Sequence, residues 1–144
     1  VRALTVKQPW TAAIAHGPKR TENRGKPIPP AHLGTTILIH AGATDDHTPR
    51  PGHQVPRVLT DGMRTWPHHY RAVVAVADLV SCHRDDGCCR PWGFPDTWHW
   101  RLDNVRAVPH PTLGVRGQLG LWTVPDDVLG AVQRQVYIPQ EVTA

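Results

Sequence analysis

The chain contains no apolar run approaching the roughly 20 residues that a membrane-spanning helix requires, and its N-terminus lacks the basic-then-apolar pattern of a secretory leader. Together these absences predict a soluble, cytoplasmic protein with no membrane partner. Cysteine is scarce. Cys82, Cys88 and Cys89 are the only three, an odd number crowded close together, which argues against the paired framework of a disulfide-stapled secreted domain. Lysine is missing from everything after Lys26; Lys7 and Lys19 are the other two. Internal repeats and low-complexity tracts are also missing.

What is present defines one domain spanning residues 1–144. Hydrophobic residues make up 40% of the 144, enough to bury a core and too many for a disordered tail. Glycine (12) and proline (15) are plentiful and favour short strands joined by turns over long helices. The charge is uneven. The first 26 residues carry Arg2, Lys7, Lys19, Arg20, Arg24 and Lys26 against Glu22 alone, a net of +5. The rest has ten arginines and eleven acids, a net of −1. A localised positive field of this kind suits a phosphate or polyanion ligand.

Periodicity predicts strands over residues 2–7, 19–24, 35–41, 71–82, 98–108 and 119–124. A short helix is predicted between Pro9 and Gly17, a second over 57–66 with Val58, Leu59, Met63 and Trp66 on one face, and a last one opened by Pro125. Residues 25–34, 42–56 and 83–97 read as loops. The result is an α+β, mainly β fold: a small barrel decorated by two to four short helices.

Three groups of residues could carry chemistry. The first runs from Lys7-Gln8-Pro9-Trp10 to Lys19-Arg20-Thr21-Glu22-Asn23-Arg24. Lys7, Lys19, Arg20 and Arg24 offer charge to a phosphate, and Arg24 can do so bidentately. Trp10 offers a face to a base, and Glu22 can orient Lys19 or accept from a base edge. Gln8 and His40 lie close enough in the pattern to join them. Strand alternation predicts Lys19, Thr21 and Asn23 on one side and Arg20, Glu22 and Arg24 on the other.

The pattern of Lys7, Pro9 and Trp10, a short helix, then Gly17, Lys19, Glu22 and Arg24 resembles the ASCH family (activating signal cointegrator homology). Residues 37–42 and the run from Pro111 to Trp122 resemble later parts of the same family. The resemblance implies a PUA-like barrel with a cleft beside the first helix, and a role in binding single-stranded RNA or a nucleotide-like ligand. One subgroup is similar to an amidohydrolase acting on acylated cytidine, and other members act as ribonucleases. For an enzyme, the resemblance would assign catalysis to Lys19 and Glu22, with Asp78 as a further carboxylate. Glu22 stands where the amidohydrolase subgroup has its threonine, and a lysine paired with a carboxylate stays protonated, which favours binding over hydrolysis. A protein-interaction module is the third alternative, and the oligomeric state is left open.

The second group is Cys82, His83, Cys88 and Cys89, joined conditionally by His99. Cysteine and histidine so close could hold zinc, but no C-x-x-C pair is present. No cofactor is therefore expected, and structural zinc is the minority reading. The third group is the tryptophans. Trp98 and Trp100 share one strand face, opposite His99, and read as core. Trp92, between Pro91 and Gly93 in a loop, reads as a ligand-stacking or lid residue.

Overall fold

The computed structural model describes residues 1–48, 55 and 57–140, and of 57–59 the backbone alone. Six strands form one mixed sheet: β1 (Arg2–Gln8), β2 (Thr21–Arg24), β3 (Thr36–Asp45), β4 (Ala72–Arg84), β5 (Trp98–Ala107) and β6 (Leu121–Thr123). Among the described residues three α-helices accompany them: α1 (Trp10–Ala15), α2 (Arg57–Thr65) and α3 (Asp126–Gln133), with a 3-10 turn over Pro30–His32. Every predicted strand and helix is found. The differences include a longer β3, which runs through polar residues to Asp45, a β2 that begins only at Thr21, a β4 that runs on to Arg84, and the 3-10 turn inside a predicted loop. The rest of the loop predicted over 42–56 lies, after Thr48, almost wholly outside the described residues, and so do the side chains of Val58 and Leu59.

The strand order is β2-β5-β4-β3-β1-β6. Only β1 and β3 pair in parallel, with Leu4 opposite Ile39, as a pair must when the chain crosses over between the two strands. The other ladders are antiparallel. The predicted α+β, mainly β class is found, while closure of the sheet into a barrel is not seen among the described residues. Its edge strands, β2 and β6, span four and three residues and do not pair with each other among the described residues.

Alternation along the central strands sends apolar side chains to both faces. Leu4, Ile37, Ile39 and Leu79 join Ile14 of α1, Trp100 and Leu102 on one side. Ala3, Leu38, Val73 and Val76 join Trp122 and α3's Val128 and Val132 on the other. Each fully buried side chain of this size stabilises by about 1.5–3 kcal/mol. A third, smaller cluster of Ala13, Met63 and Trp92 fastens α1 beneath the loop between β4 and β5.

Helix α1 is short and is held at both ends by side chains. The side-chain Oε1 of Gln8 accepts the Ala12 N–H at 3.0 Å. The Arg20 guanidinium donates to the carbonyls of Ile14, Gly17 and Lys19 at 3.2, 3.1 and 2.9 Å. These bonds satisfy groups that a six-residue helix leaves open at its ends. They also tie the ends of α1 to the segments that flank it.

Candidate functional site

A pocket of about 380 Å³ opens where these segments converge. Thr5, Val6 and Lys7 of β1, Trp10 at the start of α1, Lys19, and Glu22, Asn23 and Arg24 of β2 line it. Asp46, Thr48, Phe94 and residues 118–120 complete the wall. The volume lies within the roughly 300–1,000 Å³ typical of small-molecule sites.

Lys19 is the buried cation of the site, only 1% exposed. Its ammonium donates to the Thr21 carbonyl and lies 4.0 Å from Glu22 Oε1. It also lies over the rings of Trp10, Trp92 and Phe94, at 5.4, 5.8 and 5.9 Å from their centroids. Three ring faces supply part of the solvation that burial removes. The alternation predicted for residues 19–24 separates Lys19 from Glu22, yet the two side chains meet. Strand β2 begins only at Thr21, so the period-two rule does not reach Lys19.

Glu22 is fixed as well as buried. Arg24 Nη2 donates to its Oε2 at 2.8 Å and to the Thr5 carbonyl at 2.8 Å, and the Asn23 N–H donates to Glu22 Oε1 at 3.2 Å. Arg24 Nε is buried without an acceptor among the described residues. Lys7 is exposed on the rim. Trp10 Nε1 donates to Asp46 Oδ2 at 2.9 Å. The lining thus carries three cations (Lys7, Lys19, Arg24) and two carboxylates (Glu22, Asp46), close to charge balance rather than strongly basic.

Four predicted ligand contacts have structural jobs instead. Gln8 caps α1, and its amide nitrogen donates to the His69 carbonyl at 2.8 Å. Arg20 is spent on the carbonyls at the end of α1. His40 is fully buried in the sheet, between Thr5 Oγ1 at 3.1 Å and the Val115 carbonyl at 2.7 Å. Burial, opposed by the Val115 bond, lowers its pKa below the ordinary 6.5. Trp92 is no lid. It is 8% exposed and packs edge-on against Trp10 with centroids 6.4 Å apart. Its neighbour Phe94 forms the pocket wall.

Asp78 also falls outside the pocket. It accepts from Thr36 Oγ1 at 2.8 Å and Asn104 Nδ2 at 3.3 Å, beside Arg106. It sits on β4, while the pocket lies where β1, α1 and β2 meet. Sequence reasoning missed Asn23 as the residue that ties the wall to the sheet. Its amide donates to the Trp92 carbonyl at 2.8 Å and accepts from the Phe94 N–H at 2.7 Å and Thr97 Oγ1 at 3.0 Å. Asp46, Phe94 and Gln118 were missed too, because each comes from a loop with no periodic signal.

The cysteine–histidine group gathers at the base of the same loop, with one change of membership. His83, Cys88, Cys89 and His99 place their ligand atoms within 4.8 Å of one another. Cys82 is not among them; its sulfur turns toward the core and accepts the Ile28 N–H at 3.4 Å. His99 takes its place because β4 and β5 pair His83 directly with His99. Hydrogen bonding with Asp86 and then Cys89 pushes the Cys88 thiol up to about 12.

Comparison with known proteins finds no matching family model and no matching curated protein. Among the described residues, no helix is long and apolar enough to cross a membrane.

Proposed function

We propose that the chain is an ASCH-type domain that binds a nucleotide-like ligand, free or exposed in single-stranded RNA, in the pocket between β1, α1 and β2. The observation that carries this reading is the combination of groups on one 380 Å³ lining: a fixed carboxylate, aromatic surface, and cations at both floor and rim. Glu22 can accept from the amino group of a base, and Trp10 and Phe94 offer ring surface. Lys7 reaches a phosphate from the rim, and the Arg24 side chain adds positive charge to the lining beside Glu22. Near charge balance favours a single nucleotide over a long tract of backbone.

Hydrolysis has less support. Of the three carboxylate and lysine groups assigned to catalysis, only Lys19 and Glu22 meet, and Glu22 is occupied by Arg24.

Calorimetric titration with nucleosides, nucleoside monophosphates and short single-stranded RNA tests the proposal. Binding of a monophosphate is the expected result, and binding of the short single-stranded RNA should weaken with salt, log K falling by about 0.7 per decade for each phosphate engaged. Glu22→Gln should weaken it and change the order of base preference. If no member of the series binds the folded protein, the proposal fails. Product formed from an acylated cytidine would establish the hydrolase instead.

A further inference from the structure

We infer that His83, Cys88, Cys89 and His99 form a tetrahedral zinc site that pins the loop of residues 85–97, and with it the Phe94 wall of the pocket, onto the sheet. The inference is independent of what the pocket binds.

The sheet supplies half of the site. His83 near the end of β4 and His99 near the start of β5 are ladder partners, and their rings lie 5.3 Å apart. The loop supplies the other half by folding back over them. Cys88 Sγ lies 2.9 Å from His83 Nε2 and 3.7 Å from His99 Nδ1, and Cys89 Sγ lies 3.6 Å from His83 Nε2. Ligands on a tetrahedral zinc at 2.0–2.3 Å stand roughly 3.3–3.8 Å from one another, so most of these separations are near those of a formed site. The two sulfurs, 2.7 Å apart, need to separate by about 1 Å, within reach of side-chain rotation.

The tautomer of His99 points the same way. Its Nε2 lies 2.9 Å from the Phe94 carbonyl, which can only accept. Nε2 therefore carries the hydrogen, and in the neutral ring Nδ1 presents its lone pair to the cluster. That is the arrangement in which a second partner orients a metal-bound histidine. Asp85 Oδ1, 3.6 Å from the same Nε2, adds a carboxylate behind it.

The loop backbone is shaped to permit this approach. Cys89 adopts φ of 67°, a left-handed conformation that a non-glycine residue holds only at a cost in strain. At Gly93, a Cβ would lie 2.6 Å from His99 Cε1 and 2.8 Å from Cys89 Cβ, so only glycine lets the loop close on the histidine. Two thiolates and two imidazoles with no carboxylate or open position suit zinc in a structural, non-catalytic role. Binding displaces the thiol protons, so the ion itself reverses the condition of Cys88 in the metal-free chain.

The consequence reaches the pocket. Phe94 lends its carbonyl to His99 and its ring to the cage over Lys19. Releasing the metal would leave the loop held by Asn23, by the His99–Phe94 hydrogen bond and by the packing of Trp92 and Phe94 on α1 and Lys19.

The test begins with reduced protein purified without chelator. Elemental analysis should find about one zinc per chain, and Co²⁺ added to the metal-free protein should give the visible bands of tetrahedral cobalt with thiolate ligands. Because replacing a supporting residue costs about 10–100-fold in affinity, Cys88→Ser and His99→Gln should each cost more than about 100-fold. Cys82→Ser should cost nothing. Folded, reduced wild type that takes up neither zinc nor cobalt overturns the site, as does a Cys88–Cys89 disulfide that persists under reductant. The wild-type cobalt titration needs no variant to fold. Amide exchange at residues 92–97 should accelerate at least about tenfold when zinc is removed, a loss of local stability of about 1.4 kcal/mol; exchange that does not change overturns the pinning role.

Discussion

Lys19 concentrates the chemistry of the pocket in one side chain. Its charge is buried under three rings and against the Thr21 carbonyl, so replacing it with a methionine of similar length removes charge while keeping the packing. Lys19→Met should shift unfolding stability by no more than about 2 kcal/mol in either direction, while nucleotide affinity falls more than about tenfold. Denaturant titration and calorimetry separate the two effects. His40 predicts a pH dependence. Its folded pKa lies below 6.5 because burial disfavours the imidazolium, so the unfolded chain takes up the proton first as pH falls. Its contribution to stability is fully present above about pH 6.5 and is lost as pH drops toward the lowered folded value. Urea midpoints between pH 7.5 and 5 should fall in wild type, and His40→Gln should remove part of that slope.

At the scale of elements, the pocket depends on how the loop of residues 85–97 is attached to β2. Asn23 makes three hydrogen bonds to that loop, two of them to main-chain groups of Trp92 and Phe94. Asn23→Ala should cost about 1–3 kcal/mol, because partly buried groups lose their partners. It should also raise amide exchange across residues 92–97 more than elsewhere. If the exchange increase is spread evenly over the sheet, Asn23 is not a local fastening. Helix α1 obeys similar logic: at six residues it is too short to persist alone, and Gln8 and Arg20 make it part of the floor beneath the pocket.

The molecule as a whole is a sheet buried on both faces. Leu38 and Ile39, adjacent on β3, belong to opposite clusters. Leu38→Ala and Ile39→Ala should each destabilise by about 2–5 kcal/mol, which chemical denaturation measures; a small effect from either would mean that one face is less tightly packed than its burial implies. Leu119 is the contrast. It is 98% exposed at the mouth of the pocket, so Leu119→Ser should change stability by less than about 0.5 kcal/mol. Any loss of ligand affinity in that variant would then report contact at the rim.

The sequence by itself determined the elements. Pro9 and Gly17 bracket α1, Pro125 opens α3, and alternation marks the strands, because helix ends and strand faces follow from local backbone preference and a short-range period. The motif that carries the ASCH resemblance also grouped Lys7, Trp10, Lys19, Glu22 and Arg24, which share one lining, although strand alternation alone separates Lys19 from Glu22. Only the tertiary structure decided the rest. The strand order, the parallel pairing of β1 with β3, the retirement of Gln8, Arg20, His40 and Trp92 to structural tasks, and the exclusion of Asp78 all depend on contacts between distant segments. The exchange of Cys82 for His99 shows the physical reason most plainly. Adjacent Cys82 and His83 point to opposite faces of β4, whereas His83 and His99, sixteen positions apart, face each other across a ladder whose register no local pattern encodes.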